Sequence, residues 1–294
     1  MHPRTNRALR ALTIDQVESF WQQGFVTVAN AVSENALTAM RVDLAGWVED
    51  SKQHSEPYGE TLSGRPRFDL EPGHCAAQPA VRRVASPTEL SDAYLDVIQE
   101  SPMLDMVDDL IGPDLRFHHS KVNSKLPDSG TKVLWHQDFT FDPHSNDDMI
   151  TSLLFLDDVT SENGPLRVVP GSHRGPLLSL WQAGQFTGAV DERTAAGLET
   201  QAVEQTGPAG AVCLMHVRLL HSSRVNLSKG SRSLFVAGIS AADAVPLSPN
   251  AVPSVHEGML LRGREPGTIR STAFEMEAPV LPRGASFFGQ QEGQ

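Results

Sequence analysis

Cysteine and basic residues are both scarce in this chain. Cys75 and Cys213 are its two cysteines, and they lie far apart in a sequence of 294 residues. Metal sites built on Cys-x-x-Cys spacing are therefore excluded, and we expect both cysteines to be small buried hydrophobic residues. Lysine and arginine total 24 against 36 aspartates and glutamates, for a net charge of -12. This balance argues against nucleic acid and anionic membranes as partners.

Long apolar runs are also missing. No segment approaches the roughly 20 apolar residues that a membrane-spanning helix needs. The opening MHPRTNRALRAL lacks the continuous apolar core of a secretory signal, and we therefore expect a cytoplasmic protein without a membrane partner. A hydrophobic fraction of 39% is ordinary for a globular domain, so we expect residues 1–294 to form one domain.

The first part of the chain has helical patterns. Thr13 and Gln16 form a capping box before an amphipathic stretch that Gly24 ends. The patterns that follow predict, in chain order, a strand over 25–32, a helix over 34–50, a loop or lid over 51–87 and a helix over 88–110 that stops before Pro113. The predicted helical part thus extends over residues 1–112.

Short runs of alternating polarity dominate after Pro113. They predict strands in LRFHHSKVNSK, VLWHQDFTF, ITSLLFLDDV, LRVVPGS, AVCLMHVRLLHSS and SLFVAGIS, with a helical insertion over 179–198. Helices first and strands afterwards indicate the α+β class, mainly β, with helices packed outside an antiparallel barrel or sandwich. We place this core over residues 113–245 and a C-terminal extension over 246–294.

A histidine and an aspartate two residues apart form the strongest chemical pattern. His136 and Asp138 lie in an apolar predicted strand, so both side chains leave one face while Gln137 points away. His221, from a later strand, would complete a set of two histidines and one carboxylate. Such a set suits iron(II) oxygenases because it leaves coordination positions open. The two-residue pattern alone is weak, since a hydrogen-bonded histidine in a half-buried strand fits it equally.

Three further residues favour a 2-oxoglutarate site beside this metal set. Arg232 begins the next apolar strand after a turn at NLSKGS, so a hairpin would return its guanidinium to the metal. There it can pair with the distal carboxylate of 2-oxoglutarate. Ser223 shares the face of His221 and offers a hydroxyl to the same carboxylate. Asn123, on the strand before the metal strand, is placed to help hold the co-substrate.

Other polar residues leave alternatives open. His216 competes with His221, but five residues separate them in one predicted strand, so they would face opposite ways. Lys121 and Lys125 share a face with Asn123 and could meet an anionic substrate or 2-oxoglutarate, although a lysine is usually solvated. Pocket-wall, core or surface positions are expected for His118, His119 and His144, and a loop-supporting position for His173.

Two segments of the sequence resemble a known protein family. The runs WHQDFTFDPHSNDDMITSLLFLDDVTSENGPLRVVPGSHRG and LLHSSRVNLSKGSRSLF closely resemble the phytanoyl-CoA dioxygenase family, as does the opening GFVTVANAVSENAL. The resemblance covers most of the chain and implies a double-stranded β-helix core of the jelly-roll, cupin-like kind. It also implies Fe(II), 2-oxoglutarate as co-substrate and O2. The residue roles it implies are iron ligation by His136, Asp138 and His221, and 2-oxoglutarate binding by Arg232, with Asn123 and Ser223 added by likeness to ectoine hydroxylases.

The resemblance also frames the reaction and its alternatives. Related iron halogenases carry a small residue where Asp138 stands, so hydroxylation of an aliphatic C–H bond in a small metabolite is expected, with release of succinate and CO2. Desaturation or ring formation would use the same residues. A metal-binding barrel or isomerase, or a zinc hydrolase, could share the metal ligands but would have no use for Arg232. Segments 51–75 and 274–288 are expected to determine the substrate, and the acidic surface disfavours a polyanion such as CoA.

Overall fold

Two main antiparallel sheets, a separate two-stranded hairpin and a layer of helices make up the described fold. The computed structural model describes residues 7–282, 284–285 and 291. Its helices are α1 (Ile14–Gln23), α2 (Glu34–Asp50), α3 (Asp92–Glu100), α4 (Pro102–Ile111) and α5 (Glu192–Glu199). Its strands are β1 (Phe25–Val28), β2 (Tyr58–Glu60), β3 (Pro66–Leu70), β4 (Val81–Ala85), β5 (Leu115–Lys125), β6 (Val133–His136), β7 (Met149–Phe155), β8 (Leu166–Val168), β9 (Trp181–Gln182), β10 (Gln185–Phe186), β11 (Val203–Gln205), β12 (Val212–His216), β13 (His221–Ser223), β14 (Arg232–Ala241) and β15 (Leu260–Arg262).

Successive strands of the core alternate between the two sheets. The large sheet has the order β1-β12-β7-β14-β5-β4-β3-β2, with β15 also paired to β5, and the small sheet has the order β11-β8-β13-β6. The chain therefore passes from one sheet to the other between β5 and β8 and again between β12 and β14, as in a jelly roll. The predicted fold class, mainly β with a double-stranded β-helix core, is confirmed.

The centre of the large sheet is buried on both faces, and strands β7, β12 and β14 divide their residues between two cores. In β12, Val212 and Leu214 belong to the cluster shared with the helices, whereas Cys213 and Met215 pack between the two sheets. This division follows from the two-residue period of a strand. Residues of β5, β7 and β14 that point between the sheets can therefore line a cavity there.

The helix boundaries follow local capping chemistry. The predicted capping box is present in α1, where the Thr13 side chain accepts from the Gln16 backbone N–H, and α2 has the predicted bounds. The single helix predicted over 88–110 is wrong, because Ser101 and Pro102 divide it into α3 and α4. Proline disfavours helical conformation in the residue before it and lacks an N–H, which suits the first turn of a new helix.

Three other expectations need correction. Segment 51–87, predicted as loop or lid, contains β2, β3 and β4, and β4 is a fully buried strand paired with β5. Its sequence VRRVA places two arginines side by side, which hides the alternation of a strand. Segment 179–198 holds the β9–β10 hairpin before α5, and Cys75 is exposed although Cys213 is buried. In the described part of the chain, no helix is long and apolar enough to cross a bilayer.

Candidate active site

His136, Asp138 and His221 meet between the two sheets. His136 ends β6 and His221 begins β13, and the two residues are register partners in the small sheet. Strand β6 stops at His136, so Asp138 lies in a short 3-10 turn and not in the strand that the sequence predicted. The carboxylate still reaches both imidazoles: Asp138 Oδ1 lies 3.5 Å from His136 Nε2 and 3.6 Å from His221 Nε2.

Hydrogen bonds orient all three side chains toward the same point. Nδ1 of His136 lies 2.7 Å from the carbonyl of Leu134, and Nδ1 of His221 lies 3.0 Å from the carbonyl of Leu219. A carbonyl can only accept, so each Nδ1 carries the proton and each Nε2 presents a lone pair. Thr151 Oγ1 donates to Asp138 Oδ2 over 2.7 Å, which leaves Oδ1 facing the two Nε2 atoms.

Electrostatics favour the metal-binding protonation states of Asp138 and His221. Burial by itself would raise the pKa of Asp138, but His221, His136 and Lys121 together hold that pKa well below its usual range. Burial and the neighbouring His136 lower the pKa of His221 to about 4. Neutral imidazole and ionised carboxylate are the forms that bind a metal ion. The donor set therefore fits the iron(II) that its chemistry implies.

The side of this centre toward Arg232, here called the Arg232 side, is a cavity of about 80 Å³ between the sheets. Its wall includes Asn123, Ser223 and Arg232, so the structure brings together all three residues predicted to contact 2-oxoglutarate. The Oδ1 atom of Asn123 is buried without a hydrogen-bond partner in the described part of the chain. A donor arriving in the cavity could satisfy this acceptor.

Arg232 is buried and held by backbone carbonyls. It is 2% exposed, its Nε lies 3.5 Å from the carbonyl of Asn163, and its Nη2 donates to the carbonyl of Gly164. Burial lowers the pKa of Arg232 to about 10, while Asp157 opposes that shift. The predicted hairpin between the strands of His221 and Arg232 is wrong, because β14 pairs with β5 and β7 in the other sheet. Arg232 reaches the centre across the gap between the sheets.

Residues 163–165, the NGP motif, support the side chain of Arg232. Gly164 has φ of +73°, and a Cβ there would lie 2.6 Å from the carbonyl of Arg224, so glycine is required. The Asn163 side chain bonds to both ends of the preceding turn, donating to the carbonyl of Asp158 and accepting from the N–H of Thr160. This turn directs the carbonyls of residues 163 and 164 at the guanidinium.

Lys125 is a second buried cation on the Arg232 side. Its ammonium donates to the carbonyls of Thr131 and Arg224, and its side chain is not solvated as a typical lysine would be. Burial and the nearby Arg232 lower the pKa of Lys125 to about 6. A carboxylate bound beside Lys125 would raise this pKa again, so a dicarboxylate favours the ammonium form at this position.

His216 and His173 lie away from the centre. His216 ends β12 in the large sheet, so it does not share a strand with His221 as the sequence suggested. Its ring lies among Phe20, Trp21 and His173, with a centroid distance of 5.1 Å to the last. His173 Nε2 lies 3.2 Å from the carbonyl of Trp21, which confirms its predicted supporting role in the loop.

A second cavity of about 40 Å³ lies on the other side of the same centre and shares His136 and Asp138. Its wall includes Arg83 and Lys121, and we call it the Arg83 side. The other lining residues are His119, Phe141, Asp142, Ala251, Val252 and Pro282. Pro282 thus places part of segment 274–288 in the wall of this cavity. That this segment determines the substrate stays a prediction, and its residues 283 and 286–288 lie outside the described residues.

A β-bulge directs two consecutive histidines into this region. Strand β14 pairs Gly238 with His119 and Ile239 with Phe117, so His118 is the extra residue of β5. The Nδ1 atoms of His118 and His119 lie 2.8 Å apart. Together with Asp142 they form a second group of potential metal ligands. Arg83 is not among the site residues that the sequence predicts, because segment 51–87 has the pattern of a loop.

Comparisons with known proteins agree with this geometry. A family model described as Phytanoyl-CoA dioxygenase (PhyH) matches residues 20–234. A probable alpha-ketoglutarate-dependent hypophosphite dioxygenase of Stutzerimonas stutzeri is 33% identical over 256 residues, which cover 85% of this chain and 87% of that protein. The L-proline trans-4-hydroxylase of Streptomyces griseoviridis is 29% identical over 215 residues, 66% of this chain and 79% of its own. The solved structure of EctD from S. alaskensis with bound Fe has a TM-score of 0.66 at 20% identity, covering 95% of this chain and 93% of EctD, and shows a common fold.

Proposed function

Because this chain belongs to the phytanoyl-CoA dioxygenase family, we propose that His136, Asp138 and His221 bind its catalytic iron. The protein is a 2-oxoglutarate-dependent non-haem iron dioxygenase that acts on a small molecule. The observation that carries the ligand assignment is the convergence of two lone-pair Nε2 atoms on one free carboxylate oxygen. The second histidine and aspartate group lacks this arrangement, since its two imidazoles contact each other.

For the co-substrate, we propose that Arg232 pairs with the distal carboxylate of 2-oxoglutarate, and that Asn123 and Ser223 add hydrogen bonds. The guanidinium is already oriented by two carbonyls, so little side-chain entropy is lost when a carboxylate arrives. A bidentate pair needs the planar fork of arginine, which an ammonium group does not offer. Residues Leu153, Leu166 and Leu234 line the same cavity and exclude water from it.

The chain's own residues position the reactants. When bound, iron and 2-oxoglutarate supply the oxidising chemistry with O2, releasing succinate and CO2. Thr151 fixes the Asp138 carboxylate, the carbonyls of Leu134 and Leu219 fix the imidazoles, and Arg232 fixes the co-substrate. The substrate then has access from the Arg83 side, where the second cavity meets His136 and Asp138. A protein general base is not needed in this arrangement.

Two reactions follow from the relatives. Hydroxylation of an aliphatic C–H bond is the reaction predicted from the sequence, and the relative named for L-proline supports it. Oxidation of a P–H bond is the second candidate, because the relative named for hypophosphite is 33% identical over 85% of the chain and hypophosphite has no C–H bond. We propose further that residues 1–294 act as one domain. A cytoplasmic location and the absence of a nucleic-acid partner remain predictions.

Succinate formation tests the proposed function. Anaerobically purified protein is loaded with Fe(II) and 2-oxoglutarate, exposed to O2, and assayed with hypophosphite, L-proline or no added substrate. We expect succinate from the wild type, and loss of it in His136→Ala and Arg232→Ala, whereas the exposed-residue controls His54→Ala and Arg224→Ala keep it. Turnover that persists in Arg232→Ala without 2-oxoglutarate would favour the metal-binding barrel, isomerase or zinc hydrolase alternatives instead.

A further inference from the structure

Arg83 is a buried arginine whose Nε finds no hydrogen-bond partner among the described residues. It is 4% exposed. Asp69, its register partner in β3, accepts a hydrogen bond from Arg82 over 2.7 Å. A buried charge that is incompletely paired is costly, and burial lowers the pKa of Arg83 to about 10, although Asp69 opposes that shift. A partner that enters from the cavity would remove this cost.

Lys121 lies beside Arg83 on the same face of the large sheet. Strands β4 and β5 pair Arg83 with Asn123 and Ala85 with Lys121. Side chains two residues apart share a face, so Arg83, Lys121 and Asn123 all point between the sheets. Lys121 lines both cavities, and Arg83 lines the second one. Two cationic side chains therefore flank the space next to His136 and Asp138.

The described wall of this cavity contains two acids beside these basic side chains. Asp138 and Asp142 are its carboxylates. Asp138 belongs to the proposed iron site, where it would ligate the metal ion. Asp142 is then the one carboxylate of the described wall outside the metal set, against two basic side chains. An anionic ligand therefore suits this cavity better than a cationic one.

We propose that Arg83 and Lys121 bind the substrate of this enzyme, and that this substrate is a compact oxyanion, either a carboxylate or a phosphorus oxyanion. The inference rests on the proposed function. Oxyanions match the fork of a guanidinium and the point charge of an ammonium. The cavity of about 40 Å³ admits a small ligand, and its shared lining with the iron site places that ligand beside the centre.

Binding measurements separate this inference from the assignment of the co-substrate. Protein loaded anaerobically with Fe(II) and saturating 2-oxoglutarate is titrated in a calorimeter with hypophosphite, methylphosphonate, acetate, L-proline and the neutral compact ligand glycerol. We expect at least one oxyanion to bind and glycerol not to bind. Preference for hypophosphite and methylphosphonate would identify a phosphorus oxyanion, and preference for acetate or L-proline a carboxylate.

Variants test the two cations. Arg83→Gln and Lys121→Met should each weaken oxyanion binding roughly tenfold to a hundredfold, the usual effect of removing a charge-assisted hydrogen bond. Arg83→Lys should recover part of the affinity. The exposed residues Arg264 and Lys229 provide matched controls, and Arg264→Gln and Lys229→Met should bind like the wild type. Affinity for 2-oxoglutarate, measured in the same samples, should be unchanged in Arg83→Gln.

Thermal unfolding distinguishes ligand binding from a structural role. Because Arg83 is buried with its Nε unbonded and its register partner Asp69 is bonded to Arg82, Arg83→Gln without ligand should unfold at the wild-type temperature or above it. A lower unfolding temperature together with unchanged oxyanion affinity would overturn the inference. Wild-type protein that binds 2-oxoglutarate but none of the oxyanions, or binds glycerol as well as it binds them, would also overturn it while leaving the proposed function intact. Failure to bind 2-oxoglutarate would instead contradict the proposed function.

Discussion

The Arg232 side and the Arg83 side of the centre present arginines in opposite ways. Arg232 is held by the carbonyls of Asn163 and Gly164, and its neighbour Lys125 is held by two further carbonyls. The Nε atom of Arg83, by contrast, is buried without a hydrogen bond from the described residues. A guanidinium that is fixed before binding suits a co-substrate that never changes. One that depends on its ligand makes the cavity selective for charge, since a neutral molecule would leave the cation unpaired.

The two sides also differ in the origin of their residues. On the Arg232 side, every described lining residue except Val236 lies within residues 20–234, the span matched by the family model. On the Arg83 side, Ala251, Val252 and Pro282 come from beyond the last matched residue, 234. We infer that the shared chemistry depends on the first set and substrate choice on the second. The predictions below test this division.

The largest expected effect is loss of the metal ion. His136→Ala or His221→Ala removes one of three ligands and should abolish stoichiometric Fe(II) binding, because two ligands hold iron poorly. His119→Ala, which disrupts the second group of His118, His119 and Asp142, should keep one Fe(II) per chain. Metal content after anaerobic loading and desalting measures both. Iron retained in His136→Ala but lost in His119→Ala would move the centre to the Arg83 side.

The next effect should be confined to the Arg232 side. Arg232→Gln removes a preorganised bidentate donor, so 2-oxoglutarate should bind roughly tenfold to a hundredfold more weakly. Arg232→Lys should restore little, because an ammonium cannot make the paired contact. Calorimetric titration of the Fe(II)-loaded protein with 2-oxoglutarate gives the affinity. Arg224→Gln, an exposed arginine nearby, serves as the control, and an equal loss there would point to a general electrostatic effect.

Most residues of the Arg232 side could be predicted from the sequence, because residues nearby in the chain indicate their roles. His136, Asp138, His221, Ser223 and Arg232 lie in short segments whose spacing indicates their roles, and the structure brings them together. The predicted local structures were wrong. Asp138 lies in a 3-10 turn and not in a strand, and the chain crosses to the other sheet where a hairpin was predicted. The site side chains still converge, because the two sheets bring these segments close together.

The Arg83 side could not be predicted for reasons that are equally physical. Strand β4 is fully buried yet contains adjacent arginines, one in a buried ion pair with Asp69 and one lining the cavity, so its polarity does not alternate. The bulge at His118 reverses which residues of β5 face inward, and nothing in LRFHHSKVNSK marks the position. The sequence could not decide whether Lys121 and Lys125 face solvent or a ligand, because burial of a lysine depends on partners that are distant in sequence.

Removal of the Thr151 hydrogen bond should have a moderate effect on iron affinity, and the iron site is shared by both sides. Thr151→Val keeps the shape of the side chain but removes the hydrogen bond to Asp138 Oδ2. Outer partners of metal ligands typically contribute a factor of about ten or more to metal affinity, so Fe(II) should bind roughly tenfold more weakly. Thr27→Val, which removes a strand threonine's bond to Gln205, is the matched control. Unchanged iron affinity in Thr151→Val would mean that Asp138 is oriented by its turn alone.

The smallest effect is expected from a substitution at the β-bulge, which should alter ligand binding on the Arg83 side and not on the Arg232 side. A Cβ at Gly238 would lie 2.9 Å from two atoms of the His119 ring and 3.0 Å from Met149 Cε, so Gly238→Ala must displace His119 in the wall of the Arg83 side. We expect a loss of about 1–3 kcal/mol in the free energy of unfolding, as for other overpacked cores. Oxyanion affinity should fall by a few-fold, whereas 2-oxoglutarate affinity stays at the wild-type value. Gly46→Ala, an exposed helical position with nothing within 4 Å of the added Cβ, should instead stabilise the protein by about 0.5–1 kcal/mol. If Gly238→Ala weakens both ligands equally, the bulge supports the whole centre, and the two sides are not independent.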